Sequence, residues 1–519
     1  MRKWLPLVAV CLGTFMLLID VTIVNVALPD MAKDLQTSFG SLQWVVDAYA
    51  LILAALVLGT GSIADIVGHR RAYIAGLALF AAASFVCGIS PNPSVLIASR
   101  AVQGLGGAAM FATTFALLNS NYAGRDRGTA YGIWGAVVGA AAAIGPIVGG
   151  VLTEGLSWRW IFFVNLPISA IAIAMCVLVI EDVHERRAAR VDWLGMLTFT
   201  GAASAMTYGL IYANEHGWAS GTSLVMFVAA ALLLVVFVGI ERRVRDAMLD
   251  LSLLGNKTFL GVVLAAGLLT FAAFASFTYT SIWLQSVLGL SPIRAGLVGL
   301  PLSIAAFTVS AAIGRFITAM RPGPIIGTGL LLVSAGDLIG VLLVHGSARW
   351  AALVPGLFIA GLGVGLVNPS LNSTGMAAVA PQRGGMAAGA VNTSRQLGFA
   401  FGIALLGSVF SARVESVLRD HHVPNAASLA HLVSGGQAGR VLGQTPASGR
   451  AELSDTLHAA AVSGVQGALL VAGIVGVVAG LLTLWLVRAP AAPHGGPEQP
   501  AEPTRPPDDA EGTVTLPLR

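Results

Sequence analysis

The sequence predicts an all-helical polytopic membrane protein, and three observations support this fold class. The chain has 519 residues, of which 56% are hydrophobic and only 10% are charged, whereas soluble domains average about 25% charged residues. Successive apolar runs are each long enough for a helix to cross ~30 Å of hydrocarbon. The sequence lacks the ten-residue alternating segments that are typical of a transmembrane β-barrel.

The net charge of +4 does not indicate a nucleic-acid partner. Most arginines lie in short segments between apolar runs, and this position favours the cytoplasmic side of a membrane. The three cysteines lie far apart within apolar runs and predict neither a disulfide framework nor a metal site. The lipid bilayer is therefore the first predicted partner.

Apolar windows between charged or turn-rich segments predict fourteen membrane spans. A polar segment, 413–459, separates the last two spans and is predicted to be a long external loop with room for a short helix. The tail 488–519 is rich in proline and acidic residues, a composition that predicts disorder. The predicted spans cover residues 5–28, 41–62, 72–90, 94–120, 129–152, 160–180, 193–213, 221–240, 258–284, 294–314, 324–344, 350–371, 386–411 and 460–486.

The distribution of basic residues supports this count and sets the orientation. If the N-terminus is cytoplasmic, every second loop should carry an excess of lysine and arginine. The loops on the N-terminal side carry this excess, whereas the short loops on the other side carry one basic residue at most. Both termini are therefore predicted to be cytoplasmic. The basic residues of the predicted inner loops include Arg2, Lys3, Arg70, Arg71, Arg125, Arg127, Arg242, Arg243, Arg321 and Arg383.

The segment GSIADIVGHRR, residues 61–71, joins spans 2 and 3 on the predicted cytoplasmic side. Gly61 permits close helix packing, and Gly68 permits a tight turn. Taken alone, the segment is a charged loop that obeys the positive-inside rule. Together with an arginine of the next inner loop, it is predicted to act as a gate. The candidate gate residues are Gly61, Asp65, Gly68, Arg70, Arg71 and Arg127.

Four further stretches accompany this loop. They are LIDVTIVNVALPD in span 1, RAVQGLGGAAM in span 4, GAAAAIGPIVGG in span 5 and SWRWIFFVNLPI at the start of span 6. In this order the set resembles the major facilitator superfamily. With fourteen spans it resembles the drug:proton antiporter branch of that superfamily. The resemblance covers about residues 5–487, and it departs from the usual loop motif at Ile66 and His69, where basic residues are common.

The resemblance implies the major facilitator fold in a 6+2+6 arrangement. The implied parts are an N-terminal half (1–180), two inserted helices with cytoplasmic flanks (181–245), a C-terminal half (246–487) and a cytoplasmic tail (488–519). The two pseudo-symmetric halves would surround a central cavity with the substrate site near the midplane. The resemblance also implies alternating access driven by the proton gradient, without a cofactor.

The small residues of span 5 have two interpretations. Glycines spaced by four lie on one helix face and allow another helix to approach closely, and a proline kinks the helix. Ordinary membrane-helix packing accounts for such a pattern. The resemblance implies instead the antiporter motif, which holds the halves together and limits leak. The residues concerned are Gly139, Gly145, Pro146, Gly149 and Gly150.

Asp20 lies within span 1, where a charged side chain costs roughly 2.5–3.5 kcal/mol on insertion scales. Counted from the predicted span ends, Asp20 and Arg100 of span 4 lie at similar depth in the outer half of the membrane. One interpretation is a buried ion pair that stabilises the N-terminal half. The other is a proton-coupling carboxylate whose proton affinity depends on Arg100, on burial and on bound drug.

Other polar residues within spans are candidates for the proton path or the substrate cavity. Asp337 in span 11 has no charged neighbour in sequence, so it is protonated, paired across the cavity or in contact with water. Asp47 in span 2 lies near the outer face and can instead reach water. Asn25 in span 1 is assigned to the cavity. Arg395 in span 13 either snorkels to the interface or lines the cavity.

Span 9 carries a stripe of aromatic residues. Such stripes usually face lipid or neighbouring helices, although a cavity for a large apolar substrate would also use them. The candidate cavity aromatics are Phe271, Phe274, Phe277, Tyr279 and Trp283.

The sequence therefore predicts a proton-coupled transporter that exports hydrophobic or cationic drug-like compounds and acts as a monomer in the bacterial inner membrane. The alternatives are a carrier for a specific metabolite or lipid, and a membrane sensor or scaffold. A sensor would be expected to carry a large soluble domain, and an enzyme a cluster of histidines, cysteines or carboxylates at one membrane face; the sequence shows neither. The sequence has no P-loop for ATP, so ATP is not the predicted energy source within this chain. The resemblance implies the proton gradient instead.

Overall fold

The computed structural model describes residues 2–37, 39–180, 191–244, 247–314, 316, 320–346, 348–379 and 383–487. All regular secondary structure in these residues is helical. Two predictions fall outside them: the disordered tail 488–519, and the cytoplasmic flank 181–190 that leads to the inserted helices.

A long helix is present at each of the fourteen predicted spans. Twelve described segments are long and apolar enough to cross a membrane by length and composition, and the tenth helix is a shorter apolar one. Fourteen membrane crossings therefore stay a prediction. Helices α1 to α14 are Leu5–Asp34, Phe39–Val67, His69–Gly88, Pro93–Asn121, Gly124–Gly155, Asn165–Val179, Trp193–His216, Gly221–Glu241, Lys257–Val287, Leu300–Gly314, Pro322–Leu343, Val354–Ala377, Gly384–Asp420 and Ala447–Leu486.

Helix ends follow ordinary capping chemistry. At the start of α4, Asn92 Oδ1 accepts a hydrogen bond from Val95 N (3.0 Å), and Pro93 occupies the first turn. Between α2 and α3, Gly68 has a φ of 104°, which glycine adopts far more readily than other residues. The single residue that separates α2 from α3 therefore turns the chain sharply, as the sequence predicts.

The two six-helix halves repeat the same packing. In the N-terminal half, α1 packs against α5 and α6, and α4 packs against α2 and α3. In the C-terminal half, α9 packs against α13 and α14, and α12 packs against α10 and α11. Each helix pair of the N-terminal half thus corresponds to a pair of the C-terminal half whose helix numbers are higher by eight. This repetition confirms the predicted all-helical fold with two pseudo-symmetric halves.

The halves meet along two seams. Helix α2 packs along α13, and α5 packs along α10. Since α2 corresponds to α10 and α5 to α13 in the repeat, the pseudo-symmetry relates the two seams to each other. Contacts between Lys3 and Asp126 (2.6 Å) place the start of α1 beside the start of α5. We call this end of the bundle, which is predicted to be cytoplasmic, the inner end, and the opposite end the outer end.

The inserted helices α7 and α8 pack on each other, and α7 also packs against both halves. Thr200 donates to Ala55 O of α2 (3.4 Å), and Trp218, just after α7, donates to Ser408 of α13 (2.6 Å). Helix α7 therefore lies beside the α2–α13 seam. Helix α8 instead exposes an apolar surface suited to lipid. Its exposed apolar residues include Leu224, Val225, Val228, Leu232 and Val235.

The outer part of the chain departs from the predicted boundaries. Helix α13 continues to Asp420 and α14 begins at Ala447, so the segment 413–459 is mostly helical rather than a loop. Two short helices, Ala426–Ser434 and Ala438–Gln444, complete it. Regularly spaced apolar residues within this polar segment are buried and stabilise these helices. They are Val414, Leu418, Ala430, Val433, Val441 and Leu457.

Two predicted spans contain irregular backbone. The predicted span 160–180 is divided into Trp160–Phe163 and α6. Within α9, the turns Thr270–Ala275 and Trp283–Val287 are π-helical. Such π turns often mark functional sites, and in α9 they lie on the helix that carries the aromatic stripe.

Candidate functional site

A buried ion pair joins α1 to α4. The side chains of Asp20 and Arg100 are both 0% exposed, and Arg100 Nη1 donates to Asp20 Oδ2. Gln103, one turn after Arg100, donates to Asp20 Oδ1 (3.0 Å), and Asn165 of α6 donates to the same oxygen (3.2 Å). Both oxygens of the carboxylate therefore have partners.

Arg100 is held by further contacts. Its Nε donates to Val45 O of α2 (2.9 Å), and its guanidinium carbon lies 4.3 Å from the centre of the Tyr49 ring. The network thus connects α1, α2, α4 and α6. Removing one partner of such a pair leaves an uncompensated buried charge, which costs about 3–5 kcal/mol. The geometry supports the interpretation of Asp20 as part of a stabilising pair, and its part in proton coupling stays a prediction.

Asp337 of α11 has quite different surroundings. Its side chain is buried, and its Oδ2 has no hydrogen-bond partner. None of the ion pairs in the described part of the chain includes it. Asp337 lines a cavity of ≈ 20 Å³ together with Ser276, Phe277 and Thr280 of α9. This volume is enough for one water molecule.

The two carboxylates lie at the same depth. Leu5 to Asp20 and Pro322 to Asp337 are equal stretches of helix from the inner end. Each stretch rises about 22 Å at 1.5 Å per residue. Depth in the predicted hydrocarbon therefore does not distinguish Asp20 from Asp337, whereas their partners do.

The other two predicted cavity residues are less informative. Asp47 lies on α2, is partly buried, and interacts with another group. Asn25 lies on α1, but its side chain is outside the described part of the molecule. Neither residue has a described contact with Asp20 or Asp337.

A carboxylate of the 61–71 segment joins the two halves at the inner end. Asp65 Oδ1 accepts a hydrogen bond from Gly385 N (2.7 Å), and Oδ2 accepts one from Met386 N (2.9 Å). These donors are free backbone groups at the start of α13, where the helix dipole also favours a negative charge. A Cβ on Gly61 would lie 2.4 Å from Gly385 O, so only glycine allows this approach. We call the contact of Asp65 with the start of α13 the inner latch.

The described contacts of Arg70 and Arg127 lie within the N-terminal half. His69, which replaces the usual basic residue, contacts Asp65 Oδ1 through Nε2 (2.8 Å). Arg70 donates to Cys176 O (3.2 Å) at the end of α6, and Arg127 donates to Tyr122 O (2.8 Å) beyond α4. Arg71 also has an interaction partner. Within the described contacts, Asp65 and Gly61 are thus the gate candidates that reach the C-terminal half.

A second contact supports the latch, and the sequence analysis missed it. Arg383, at the start of α13, forms an ion pair with Asp250, which lies between α8 and α9. Asp250 N also donates to Met386 Sδ (3.3 Å). Hydrogen bonds from Ser252, together with Arg383, hold the pKa of Asp250 below its ordinary value. The sequence analysis missed this pair because nothing in the short polar segment around Asp250 indicates a partner 133 residues away.

The glycines of span 5 allow close approach to both halves. A Cβ on Gly145 would lie 1.8 Å from Thr22 Oγ1 of α1, two residues after Asp20. A Cβ on Gly150 would lie 3.0 Å from Ile293, just before α10. Gly149 is buried. The surroundings of Gly139 and Pro146 lie outside the described residues, although both belong to α5.

The aromatic residues of α9 have different environments. Tyr279 donates to Ile403 O (2.6 Å), and Trp283 is 0% exposed and lies 6.2 Å from the His458 ring. Phe271 is buried and Phe274 is partly buried in the interior of the C-terminal half. Phe277 lines the cavity beside Asp337. In these contacts, Phe277 is the aromatic candidate that shares a cavity with a titratable group.

The sequence matches the Major Facilitator Superfamily over residues 10–403. The multidrug resistance protein Stp of Mycobacterium tuberculosis is 35% identical over 418 residues, which cover 80% of this chain and 78% of that protein. The puromycin resistance protein pur8 of Streptomyces alboniger is 35% identical over 445 residues, with coverages of 84% and 87%. The tetracenomycin C resistance and export protein of Streptomyces glaucescens is 30% identical over 504 residues, with coverages of 94% and 92%.

A solved structure supports the same architecture. The human organic anion transporter MFSD10 (TETRAN) aligns with a TM-score of 0.57 at 15% sequence identity. The alignment covers 84% of this chain and 97% of that chain. A likeness at this identity shows the shared fold alone.

Proposed function

This chain belongs to the major facilitator superfamily, and we propose that it exports hydrophobic, drug-like compounds in exchange for protons. Relatives that cover most of its length are named as resistance and export proteins, which supports the drug-efflux branch that the motifs predict. The 6+2+6 helix arrangement supports alternating access between two rigid halves.

The unpaired carboxyl group of Asp337 carries the proton-coupling part of this proposal. A carboxylate at this depth is costly unless it is protonated, paired or in contact with water. Asp337 has no cationic partner among the described residues, and its cavity has room for about one water. The neutral acid is therefore the stable form in this conformation. Water or substrate that reaches the side chain would favour the charged form, and a group with this behaviour can carry a proton.

The inner latch supports alternation. The contacts of Asp65 with the start of α13 close the inner end between α2 and α13. Export requires the substrate to enter from the cytoplasm, so the latch must open once in each cycle. Opening breaks two hydrogen bonds to a charged acceptor, each with a net contribution of about 1.5–3 kcal/mol. Substrate binding or proton transfer would have to supply this free energy.

The proton gradient is sufficient for such export. A proton that crosses on the order of 150 mV releases ~3.5 kcal/mol, since each 100 mV is worth about 2.3 kcal/mol. One proton per substrate could then sustain roughly a 300-fold gradient of a neutral compound. We propose that the transporter acts as a monomer in the bacterial inner membrane, with both termini cytoplasmic and without a cofactor.

Everted vesicles with an acidic interior and a pH-sensitive dye test this function. Puromycin and the fluorescent cation ethidium serve as probes, and the proteins are the wild type, Asp337→Asn and the control Asp455→Asn, an exposed residue near the outer end. We expect a probe to trigger proton efflux with the wild type and with Asp455→Asn. Asp337→Asn should reduce this efflux at least tenfold.

Two outcomes would contradict the proposal. If neither probe releases more protons from wild-type vesicles than from vesicles without the protein, the proposal that these drug-like compounds are exchanged for protons is wrong. If Asp337→Asn releases protons as fast as the wild type, export stands and the assignment of the proton to Asp337 fails.

A further inference from the structure

Arg395 of α13 carries a charge that the proposed mechanism does not use. Its Nη2 donates to Asn372 Oδ1 of α12 (3.2 Å), and its Nε has no hydrogen-bond partner. None of the ion pairs described for this chain includes Arg395. An unbalanced guanidinium within a membrane span is costly, and ionisable residues in such positions are usually functional.

The contact between Arg395 and Asn372 lies beside the seam between the halves. One turn before Asn372, Pro369 lies against α5 of the N-terminal half. One turn before Arg395, Asn392 donates to Phe111 O of α4 (3.2 Å). Because residues three apart share a helix face, both members of the contact lie on faces that are directed to the opposite half.

Arg395 also lies directly beyond the closed inner end. A Cβ on Gly61 would be 2.4 Å from Gly385 O, and a Cβ on Gly389 would be 3.0 Å from Leu58 Cα, so α2 and α13 touch along this stretch. Arg395 follows six residues after Gly389, about 9 Å further along the helix. A compound between the halves, just beyond the closed inner end, would therefore lie at the level of Arg395.

Two of the atoms that lack partners at this place are donors. Arg395 Nε and Asn372 Nδ2 both have a hydrogen to donate and no acceptor. The hydroxyl oxygen Thr393 Oγ1 and the acceptor Asn392 Oδ1 are also without a partner. A charged guanidinium next to an amide N–H is suited to a carboxylate, which accepts two hydrogen bonds in one plane. A cationic group placed at this position would instead be repelled by the guanidinium.

We propose that Arg395 and Asn372 form a subsite for a carboxylate group of the exported compound, so that carboxylic acids are substrates. This inference rests on the proposed export function. It adds acidic compounds to the neutral and cationic ones that the sequence predicts, and it gives Arg395 a role in substrate choice rather than in proton transfer.

Binding of a matched pair of probes tests the subsite. The probes are 9-anthracenecarboxylate and its neutral carboxamide, and binding to purified protein is followed by quenching of tryptophan fluorescence at pH 7.5. We expect the wild type to bind the acid at least tenfold more tightly than the amide. Arg395→Gln should bring this ratio close to one, and Arg395→Lys should keep part of it. The control Arg440→Gln, an exposed arginine near the outer end, should keep all of it.

A ratio near one in the wild type, binding of neither probe, or an unchanged ratio in Arg395→Gln would overturn the subsite. Each variant is first compared with the wild type by gel filtration and thermal unfolding. If Arg395→Gln does not fold, Asn372→Ala replaces it, with an expected loss of about threefold in the ratio.

The two proposals fail in different ways. Both proposals are supported if vesicles with Arg395→Gln still show drug-dependent proton efflux and this variant has lost the preference for the acid probe. A tenfold acid preference without any drug-dependent efflux in the wild type contradicts export and leaves the subsite in place. Efflux with puromycin and no acid preference in the wild type contradicts the subsite alone.

Discussion

The N-terminal and C-terminal halves surround a buried carboxyl group differently. In the N-terminal half, Asp20 accepts hydrogen bonds from Arg100, Gln103 and Asn165. In the C-terminal half, Asp337 lies at the same depth, beside a small cavity, with an oxygen that has no partner. The comparison isolates the effect of partners, since burial and depth are alike.

The difference assigns different roles to the two residues. Asp20 pairs with Arg100 and accepts hydrogen bonds from Gln103 and Asn165, and its removal breaks a network that connects four helices. An unpaired carboxyl group in an apolar site favours the neutral form, and it can release its proton when water or substrate reaches it. Asp20 should therefore matter most for stability, and Asp337 for coupling.

The largest effect is expected when the pair in the N-terminal half is broken. Arg100→Ala should lower the free energy of unfolding by about 3–5 kcal/mol, because Asp20 then lies buried without its counter-charge. Arg159→Ala is a matched control, since Arg159 pairs with Asp34 at the exposed outer end, where ion pairs contribute about 0–1 kcal/mol. Folded yield and thermal unfolding measure both variants. Equal stability of Arg100→Ala and Arg159→Ala would refute the structural role of the buried pair.

The two asparagine variants sharpen the comparison. Asp20→Asn leaves Arg100 without a counter-charge and should destabilise the protein by at least about 2 kcal/mol. Asp337→Asn removes no described ion pair, so the free energy of unfolding should change by less than about 1 kcal/mol. Thermal unfolding in the same detergent compares them. A greater loss of stability for Asp337→Asn than for Asp20→Asn would reverse the assignment of roles.

A smaller effect is expected at the inner latch. Asp65→Asn removes the negative charge from the start of α13, which should weaken the closed state by about 1 kcal/mol, or about fivefold in the ratio of closed to open molecules. Opening is measured with Leu58→Cys in a background in which Cys11, Cys87 and Cys176 are replaced. The rate at which maleimide labels position 58 reports the opening of the inner end. Labelling should be about fivefold faster in Asp65→Asn.

The control for this measurement is Asp126→Asn, which removes an exposed carboxylate at the same end that pairs with Lys3. Its labelling rate should match that of the parent protein. Equal rates in all three proteins would show that the contact of Asp65 with α13 does not hold the inner end closed.

The smallest effect is expected from the pair between Asp250 and Arg383. Because the folded pKa of Asp250 is lowered, its stabilisation is present above its unfolded pKa of about 3.9 and is lost as the pH falls through the folded value. The side chains are 31% and 35% exposed, so screening should limit the contribution to less than about 1 kcal/mol. Asp250→Asn should therefore show a smaller decrease in unfolding temperature below pH ~4 than the wild type. An identical acid response would contradict the pair.

Hydropathy and charge predicted the positions of the long helices, and depth counting predicted the contact of Asp20 with Arg100. Both signals are local, because they depend on how far a residue lies along its own helix. The partners Gln103 and Asn165 were not predicted, although Gln103 lies one turn after Arg100 on the same face. Asn165 lies on another helix, and its contact depends on how that helix is rotated.

The inner latch was predicted in part. The loop motif identified Gly61 and Asp65, but their partners at Gly385 and Met386 are backbone groups, which leave no mark in a side-chain pattern. The extent of helix in 413–459 was missed because its apolar residues are sparse, and their burial depends on packing between the ends of α13 and α14 and the two short helices.

The most direct test of the account is a count of protons released when substrate binds. Purified protein in weakly buffered detergent solution with a pH dye is mixed with saturating puromycin, and the release per protein is compared among the wild type, Asp337→Asn and Asp455→Asn. The account predicts close to one proton for the wild type and for Asp455→Asn, and almost none for Asp337→Asn. Full release from Asp337→Asn would contradict the claim that the unpaired carboxyl group of the C-terminal half carries the proton.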